Sequence, residues 1–392
     1  MPCQIQLKQI PFGIVAQSMK GPGFVKVQVI DFLTSGDGDT LTDRLEEMHR
    51  LLFPSELSPP VLMPSAIDHY LVILDPKMEK NTTLYVNELE LHIEAQPQKR
   101  TCRQGQLIFT NDIVDIRRLR MLHAGTTITI PPDVGFVFMF SVGWRRALFY
   151  DLSPLVPKDA NPRTYDPELR LGPLYGYVMH QERVKIPAAL WDALLDQRWF
   201  PFIMLKTATV KKMLEHLKEN WPIDELLESI YHETREWLQE NEGAWSGDSL
   251  FAPHAKILGH ACERYLAEDF ISSASILYPR IEGILRDHFM LVLPNEQKVT
   301  QSSLVAGAIE KNPNRPHEYS PLLPYQFQKY LANIFFEPFD PKNPRNLSRN
   351  TVGHGVAPEA DFDKKGATLA VLILGQLWFF LRGAPLISVS KQ

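Results

Sequence analysis

Residues 344–355 bring together side chains that can act on a phosphodiester. The stretch reads Pro-Arg-Asn-Leu-Ser-Arg-Asn-Thr-Val-Gly-His-Gly, so that Arg349, Asn350 and His354 lie close together along the chain. A guanidinium stays positively charged and binds two phosphate oxygens at once, whereas an imidazole exchanges a proton near neutral pH. Cleavage of a phosphodiester requires both stabilisation of the charge on the phosphate and proton transfer. The motif therefore predicts a site that binds and cleaves a nucleic acid.

The sequence around His354 favours a cleft over a buried core position. A glycine on each side of His354 leaves little side-chain bulk near the imidazole. The arginine-to-histidine spacing also occurs at Arg44–His49 and Arg118–His123, but without an asparagine after the arginine or a glycine on both sides of the histidine. In a continuous helix Arg349 and His354 would lie about 140° apart around the axis. We therefore expect a helix to begin, end or kink here.

A second group of residues could position the motif. Glu282 and Arg286 are four residues apart on a predicted helix, which suits either a surface ion pair or a partly buried Glu282 that positions Arg349. Arg345 is a candidate second phosphate contact, because no acidic residue lies between positions 340 and 359. The basic patch around Arg345 and Arg349 is large enough to bind one phosphate and too small to bind a nucleic acid duplex. The alternative is structural: Arg349 caps a helix or pairs with Glu282, and His354 is an ordinary turn residue.

Residues 251–382 resemble the HEPN domains, small all-helical units that are common in prokaryotic defence and toxin systems. Their motif is an arginine, a polar residue and a histidine four to six positions after the arginine, and Arg349, Asn350 and His354 match it. The stretch 272–286 resembles the long helix of these domains, with its acidic residue and following arginine. This resemblance covers about a third of the chain.

The resemblance implies a metal-independent endoribonuclease that needs no cofactor. His354 would transfer a proton to or from the attacking 2′-hydroxyl or the leaving 5′-oxygen, and Arg349 would neutralise the phosphate. Asn350 would orient His354 or the phosphate. The resemblance also implies a homodimer through the C-terminal domain, with two motifs facing one cleft, and a role in phage defence or as a toxin.

Two non-catalytic functions remain open at this point. One is a nucleotide-binding, RNA-binding or protein-interaction module, in which the N-terminal domain does the binding. The other is a toxin or antitoxin partner of a nucleotidyltransferase. A regulatory protein partner is a further expectation.

Composition predicts a cytoplasmic protein without metal or membrane. Hydrophobic residues make up 44% of the chain and charged residues 22%, as in ordinary soluble proteins. Its three cysteines have no metal-ligand spacing, and the first residues lack the apolar core of a signal peptide. The apolar run Gly366–Leu381 is shorter than the roughly 20 residues that a bilayer requires, so we expect a buried helix. Its apolar surface also suggests a dimer contact.

Hydrophobic periodicity predicts an α+β protein of several domains. Residues 1–155 form a β-rich sensor or regulatory domain, either a sandwich or a partly open barrel, with strands at 24–30, 83–93, 126–130 and 134–142 and a helix near 41–53. The second predicted domain, 156–245, is a proline-rich connector followed by a helical linker layer, and we expect residues 152–185 to be irregular.

The third predicted domain, 246–392, is a HEPN-like helical bundle. The Gly- and acid-rich stretch 240–248 marks its boundary. Its predicted helices lie near 252–269, 271–291, 301–310, 321–336 and 363–382.

Overall fold

The structure is a computed structural model that describes residues 3–6, 16–18, 25–27, 29–52, 67–75, 81–97, 105, 107–155, 162–241, 243–296, 298–312 and 316–382. The chain divides into two compact units, one made of 1–94 with 116–179 and the other of 95–115 with 180–392. Antiparallel sheets lie toward the N-terminus and helices toward the C-terminus, which confirms the predicted mixed α and β character.

The strands form one large sheet and two small ones. They are β1 (Cys3–Gln6), β2 (Ala16–Ser18), β3 (Val25–Val27), β4 (Ile30–Thr34), β5 (His69–Leu74), β6 (Asn81–Val86), β7 (Glu90–Pro97), β8 (Ile113–His123), β9 (Thr126–Thr127), β10 (Gly135–Val142) and β11 (Arg145–Asp151). The large sheet has the order β1-β6-β5-β10-β11-β4, and its neighbouring strands are antiparallel. The small sheets are β2-β3 and β7-β8-β9.

Both faces of the large sheet are covered by helices. On one face, Val137 and Met139 belong to a core cluster with residues of α1 (Asp39–Leu52). On the other, Phe140 stacks on Tyr175 of α2 (Pro167–Met179), with ring centroids 5.4 Å apart. The described strands therefore build an open sheet between two helices, and not the expected sandwich or barrel. Burial on both faces explains why β10 is continuously apolar, as predicted.

Helix α2 lies inside a region that the sequence predicts to be irregular. Its residues Leu171, Leu174 and Val178 are fully buried at helical spacing. Gly172 lets the backbone of β8 approach closely, since a Cβ at this position would lie 2.5 Å from the amide nitrogen of Arg118. The expectation that residues 152–185 are irregular is therefore wrong for α2. The prediction followed the prolines of this stretch and overlooked the helical spacing of its apolar residues.

Two strand predictions were also too long. The predicted strand 83–93 is split between β6 and β7 by Asn87, which has a left-handed φ of 51°. The side-chain oxygen of Asn87 accepts hydrogen bonds from the amides of Asp68 and His69. Of residues 126–130, only the first two are in a strand, β9. Residues 24 and 28 of the predicted strand 24–30 lie outside the described residues.

The second unit is helical. Its helices are α3 (Gln181–Val184), α4 (Ala188–Asp196), α5 (Thr207–Lys218), α6 (Leu227–Glu240), α7 (Ala255–Leu266), α8 (Phe270–Val292), α9 (Gln301–Ile309), α10 (Pro324–Tyr330), α11 (Arg349–Gly353) and α12 (Lys364–Leu381). A π-helical turn, Leu331–Phe335, continues α10. The predicted C-terminal helices agree with α7, α8, α9, α10 and α12 to within a few residues.

Helix α12 is the central element of this unit. It is the one helix among the described residues that is long and apolar enough to cross a membrane, and 89% of that window is buried inside the protein. Its Gln376 is fully buried, where it accepts from the amide of Ile203 and donates to the carbonyl of Leu322. A buried helix is confirmed. The inference that this run offers apolar surface to a second subunit is wrong, because residues of the same chain already cover it.

The stretch predicted to be a domain boundary contains a buried tryptophan. Trp245 is 4% exposed and packs against Trp237 of α6 and Trp378 of α12, with ring centroids 5.9 and 5.4 Å away. The helices of the predicted linker layer thus share one core with the C-terminal helices.

Buried His288 should make the stability of the helical unit depend on pH. It lies on α8 with no exposed surface, neither ring nitrogen has a hydrogen-bond partner among the described residues, and burial lowers its pKa to about 4. Below pH 6.5 the unfolded chain binds a proton that the folded chain refuses, so stability falls until about pH 4. A shift of this size corresponds to about 3 kcal/mol.

We expect His288→Leu to remove this dependence. Its free energy of unfolding relative to the natural chain should rise by about 2–3 kcal/mol between pH 7.5 and pH 4.5. Urea unfolding followed by tryptophan fluorescence measures it, because six of the seven tryptophans lie in this unit. The exposed His232→Leu is the control. A difference that stays constant with pH would contradict a neutral, buried His288.

Candidate functional site

The motif residues lie on a helix of five residues, α11. Ser348 caps its start, since its hydroxyl accepts from the amide of Thr351 and its own amide donates to the Thr351 hydroxyl at 2.9 Å. The helix ends at Gly353, His354 is its C-cap, and Gly355 follows with a left-handed φ of 68°. The helix therefore ends at the motif, as the glycines predict, and His354 lies at the turn.

A buried carboxylate holds Arg349 in place. Glu282 of α8 is 3% exposed and forms an ion pair through Oε2 with Nε of Arg349. Its Oε1 accepts from Nε and Nη2 of Arg286, at 2.8 and 2.5 Å. Glu282 is buried and pairs with Arg349 as well as with Arg286, so it is not the simple surface ion pair that was one expectation. The pair with Arg349 agrees with both the catalytic and the structural interpretation of the motif and does not separate them. One negative charge thus faces two positive charges.

The guanidinium of Arg349 folds back along α11 toward His354. A Cβ on Gly353 would lie 2.7 Å from Nη1 of Arg349 and 3.2 Å from its Cζ. A side chain at position 353 would therefore displace the end of the Arg349 guanidinium, which lies against this glycine. Burial lowers the pKa of Arg349 from its ordinary value. The remaining 24% exposure of its side chain leaves part of it accessible to an anion.

The imidazole of His354 is exposed. Its ring lies 5.3 Å from that of Phe339 in a tilted arrangement. The polar contacts of the described residues include none to its side chain, so nothing in this part of the chain fixes its tautomer. The Arg349 guanidinium lies against Gly353 and His354 is the next residue, so a group that can bind an anion and a group that can exchange a proton lie at the same end of α11.

Asn350 points to a different part of the unit. Its amide nitrogen donates to the carbonyls of Phe336 and Glu337 at 3.0 and 3.1 Å, and its oxygen accepts from Nε2 of Gln301 at 2.5 Å. Both ends of the amide are thereby engaged. The expected hydrogen bond from Asn350 to His354 is not among the contacts of the described residues. Asn350 joins α11 to α9 and to the end of the π-helical turn.

Arg345 lies in the loop that precedes α11. It is exposed, and with the Asn343 amide turned so that its oxygen faces the guanidinium, two nitrogens lie 3.1 and 3.2 Å away. Arg198 anchors both ends of this loop through the carboxylate of Glu337 and the carbonyl of Leu347, at 2.5 and 2.8 Å. Arg345 thus lies close to α11 along the chain, but among the contacts of the described residues no hydrogen bond or ion pair links it to Arg349 or His354.

Sequence reasoning missed Gln301, Phe336 and Arg198. Each contacts the motif region from at least 13 residues away, and no local pattern marks any of them. His254 proves to be structural: Nε2 lies 2.8 Å from the carboxylate of Asp287, and Nδ1 lies 3.3 Å from Nη1 of Arg280. Within the described ranges, no group of three or more His, Cys, Asp or Glu residues is placed to hold a metal ion.

Comparison with protein-family models, with curated proteins and with solved structures found no match. The geometry of Arg349, His354 and Glu282 and the resemblance of the motif are therefore the grounds for a function of this protein.

The shared carboxylate predicts that the two arginines are energetically coupled. Arg286→Met and Arg349→Met each leave Glu282 with one partner, whereas the double variant leaves a buried carboxylate unpaired. The double variant should therefore lose about 1–3 kcal/mol more than the sum of the single losses. Urea unfolding of the four chains measures this coupling.

The control combines Arg286→Met with Lys211→Met, whose cation pairs with Glu182 on the surface. These two losses should add, because the sites share no partner. If the stability losses of Arg286→Met and Arg349→Met also add, then the burial of the Glu282 carboxylate does not depend on both arginines.

Proposed function

We propose that this protein is a metal-independent endoribonuclease of the HEPN type, with its site at Arg349 and His354. The observation that carries the proposal is a guanidinium, held by buried Glu282 and folded over Gly353, at the same helix end as an exposed imidazole. The packing of the C-terminal helices around α12 supports a HEPN-like bundle. The resemblance to HEPN domains favours a role as a defence or toxin effector.

The reaction would be an intramolecular transesterification. The ribose 2′-oxygen would attack phosphorus and form a new P–O bond, while the bond to the 5′-oxygen breaks. Arg349 would bind the phosphate and stabilise the charge that develops on its oxygens. His354 would accept the proton of the 2′-hydroxyl or donate a proton to the leaving 5′-oxygen. DNA would resist cleavage because it lacks the 2′-hydroxyl.

Loss of the imidazole should abolish cleavage without loss of stability. The natural chain should cut single-stranded RNA in EDTA and leave 2′,3′-cyclic phosphate ends, and His354→Ala should cut at least 100-fold more slowly. Its thermal midpoint should stay unchanged, because the His354 side chain is exposed. Gel electrophoresis of end-labelled RNA measures the rate, and an RNA with one deoxyribose at the cut site tests the nucleophile.

Two further variants sharpen this test. His260→Ala removes an exposed imidazole from α7 and should keep full activity. Asn350→Ala should lower the thermal midpoint, because it removes the hydrogen bonds to Gln301, Phe336 and Glu337. A requirement for a divalent metal ion, or full activity of His354→Ala, would overturn the mechanism. RNA binding without any cleavage would favour the non-catalytic alternative.

We also propose that two copies of the site face each other in a homodimer. Transesterification needs both a base and an acid, and the motif supplies one histidine per chain. A twofold axis beside α11 would bring a second His354 to the same phosphate. This proposal rests on the need for both a base and an acid and on the HEPN resemblance. The apolar run of α12 does not support it.

Mixing two inactive chains tests the dimer. Arg349→Ala and His354→Ala chains, unfolded together and refolded, should regain part of the natural activity, since mixed dimers keep one guanidinium and one imidazole. Each variant refolded alone is the control. A natural chain that stays monomeric in light scattering at micromolar concentration, with full activity, would rule out this arrangement.

A further inference from the structure

A cleft of about 510 Å³ lies beside the motif, between α9 and the π-helical turn. Its volume is within the range of small-molecule binding sites. The residues that line it are Thr300, Gln301, Ser302, Val305, Ala332 and Phe336. A π-helical turn is a rare conformation that often occurs at functional sites.

The lining of the cleft suits a flat, uncharged ring. Val305 and Phe336 are 3% and 5% exposed and form an apolar floor. Thr300, Gln301 and Ser302 add polar side chains at one wall, and none of the lining residues is charged. A phosphate would find no counter-ion here. The face of a nucleobase, by contrast, can pack on apolar and aromatic side chains while its edge forms hydrogen bonds.

Asn350 ties the polar wall and the apolar floor of this cleft to the motif. Its amide is hydrogen-bonded to the side chain of Gln301 in the polar wall and to the backbone carbonyl of Phe336, whose ring belongs to the apolar floor. Arg349 is the preceding residue, and adjacent Cα atoms are about 3.8 Å apart. The two side chains point to different sides of α11, but this helix has only five residues and is about 7.5 Å long. A strand with its phosphate on Arg349 would therefore place a neighbouring nucleoside in the cleft by passing round this short helix.

We propose that this cleft binds the base of a nucleotide adjacent to the scissile phosphate. The proposal rests on the proposed function, because it takes the RNA strand cleaved at Arg349 and His354 as its ligand. Base packing on protein side chains contributes about 1–3 kcal/mol, which corresponds to a 5- to 150-fold change in binding or in kcat/KM.

Filling the cleft is the direct test. Ala332 is exposed at its rim, so Ala332→Trp places a ring where the base would lie, and Asn333→Trp places the same ring on the neighbouring exposed residue outside the cleft. The substrates are a short RNA and a matched set with one abasic ribose at each position around the cut. For intact RNA, Ala332→Trp should lower kcat/KM at least 5-fold, and Asn333→Trp should leave it unchanged.

The abasic substrates identify the subsite. The natural chain should lose a similar factor at one abasic position, and Ala332→Trp should lose nothing further there. Equal rates of all three proteins on all substrates, with cleavage still dependent on His354, would overturn the base site and leave the nuclease proposal standing.

A binding measurement keeps the two proposals separate. The His354→Ala chain, with and without Ala332→Trp, is titrated with a fluorescent 2′-O-methyl oligonucleotide that cannot be cleaved, and anisotropy is recorded. Binding that Ala332→Trp weakens at least 5-fold would support the base site even if the natural chain cuts no RNA. Binding of equal strength to both chains, or no binding to either, would overturn it.

Discussion

The carboxylate of Glu282, buried in the helical unit, has a guanidinium on each of its oxygens. Burial of an unpaired carboxylate would destabilise the fold by several kcal/mol. Glu282 of α8 therefore requires both guanidiniums as neighbours. A helix of five residues such as α11 is not stable alone and depends on its tertiary contacts. The pair between Glu282 and Arg349 is one such contact. The same ion pair therefore fixes the helix and positions its cation.

Asn350 fixes the opposite side of α11, and this explains why it cannot also serve His354. Its amide hydrogens are bonded to the backbone carbonyls that end the π-helical turn, and its oxygen is bonded to Gln301. Breaking these bonds to reach the imidazole would leave buried or half-buried polar groups unpaired. The asparagine thus attaches α11 to α9 and to the end of the π-helical turn, whereas His354 lies just beyond the part of the helix that these contacts hold.

The sequence was sufficient for features that are set locally. Apolar spacing predicted α8, α9 and α12, and the glycines around His354 predicted that a helix begins, ends or kinks there. It was not sufficient for contacts between distant segments: nothing near Gln301 indicates that it meets Asn350. Helix α2 was missed because its prolines are typical of irregular chain, although packing on two sheets stabilises it.

The charge balance around Glu282 has a consequence for how an anion would bind. One carboxylate opposes two guanidiniums, so the cluster keeps a net positive charge even though every member is paired. Arg286 is 47% exposed and Arg349 24%, so Arg286 is the more accessible of the two. Arg349, held by Glu282 and confined above Gly353, loses little freedom when it meets a phosphate. His354, whose ring nitrogens have no hydrogen-bond partner in the described part of the chain, is the group that a bound strand or a second subunit would have to orient.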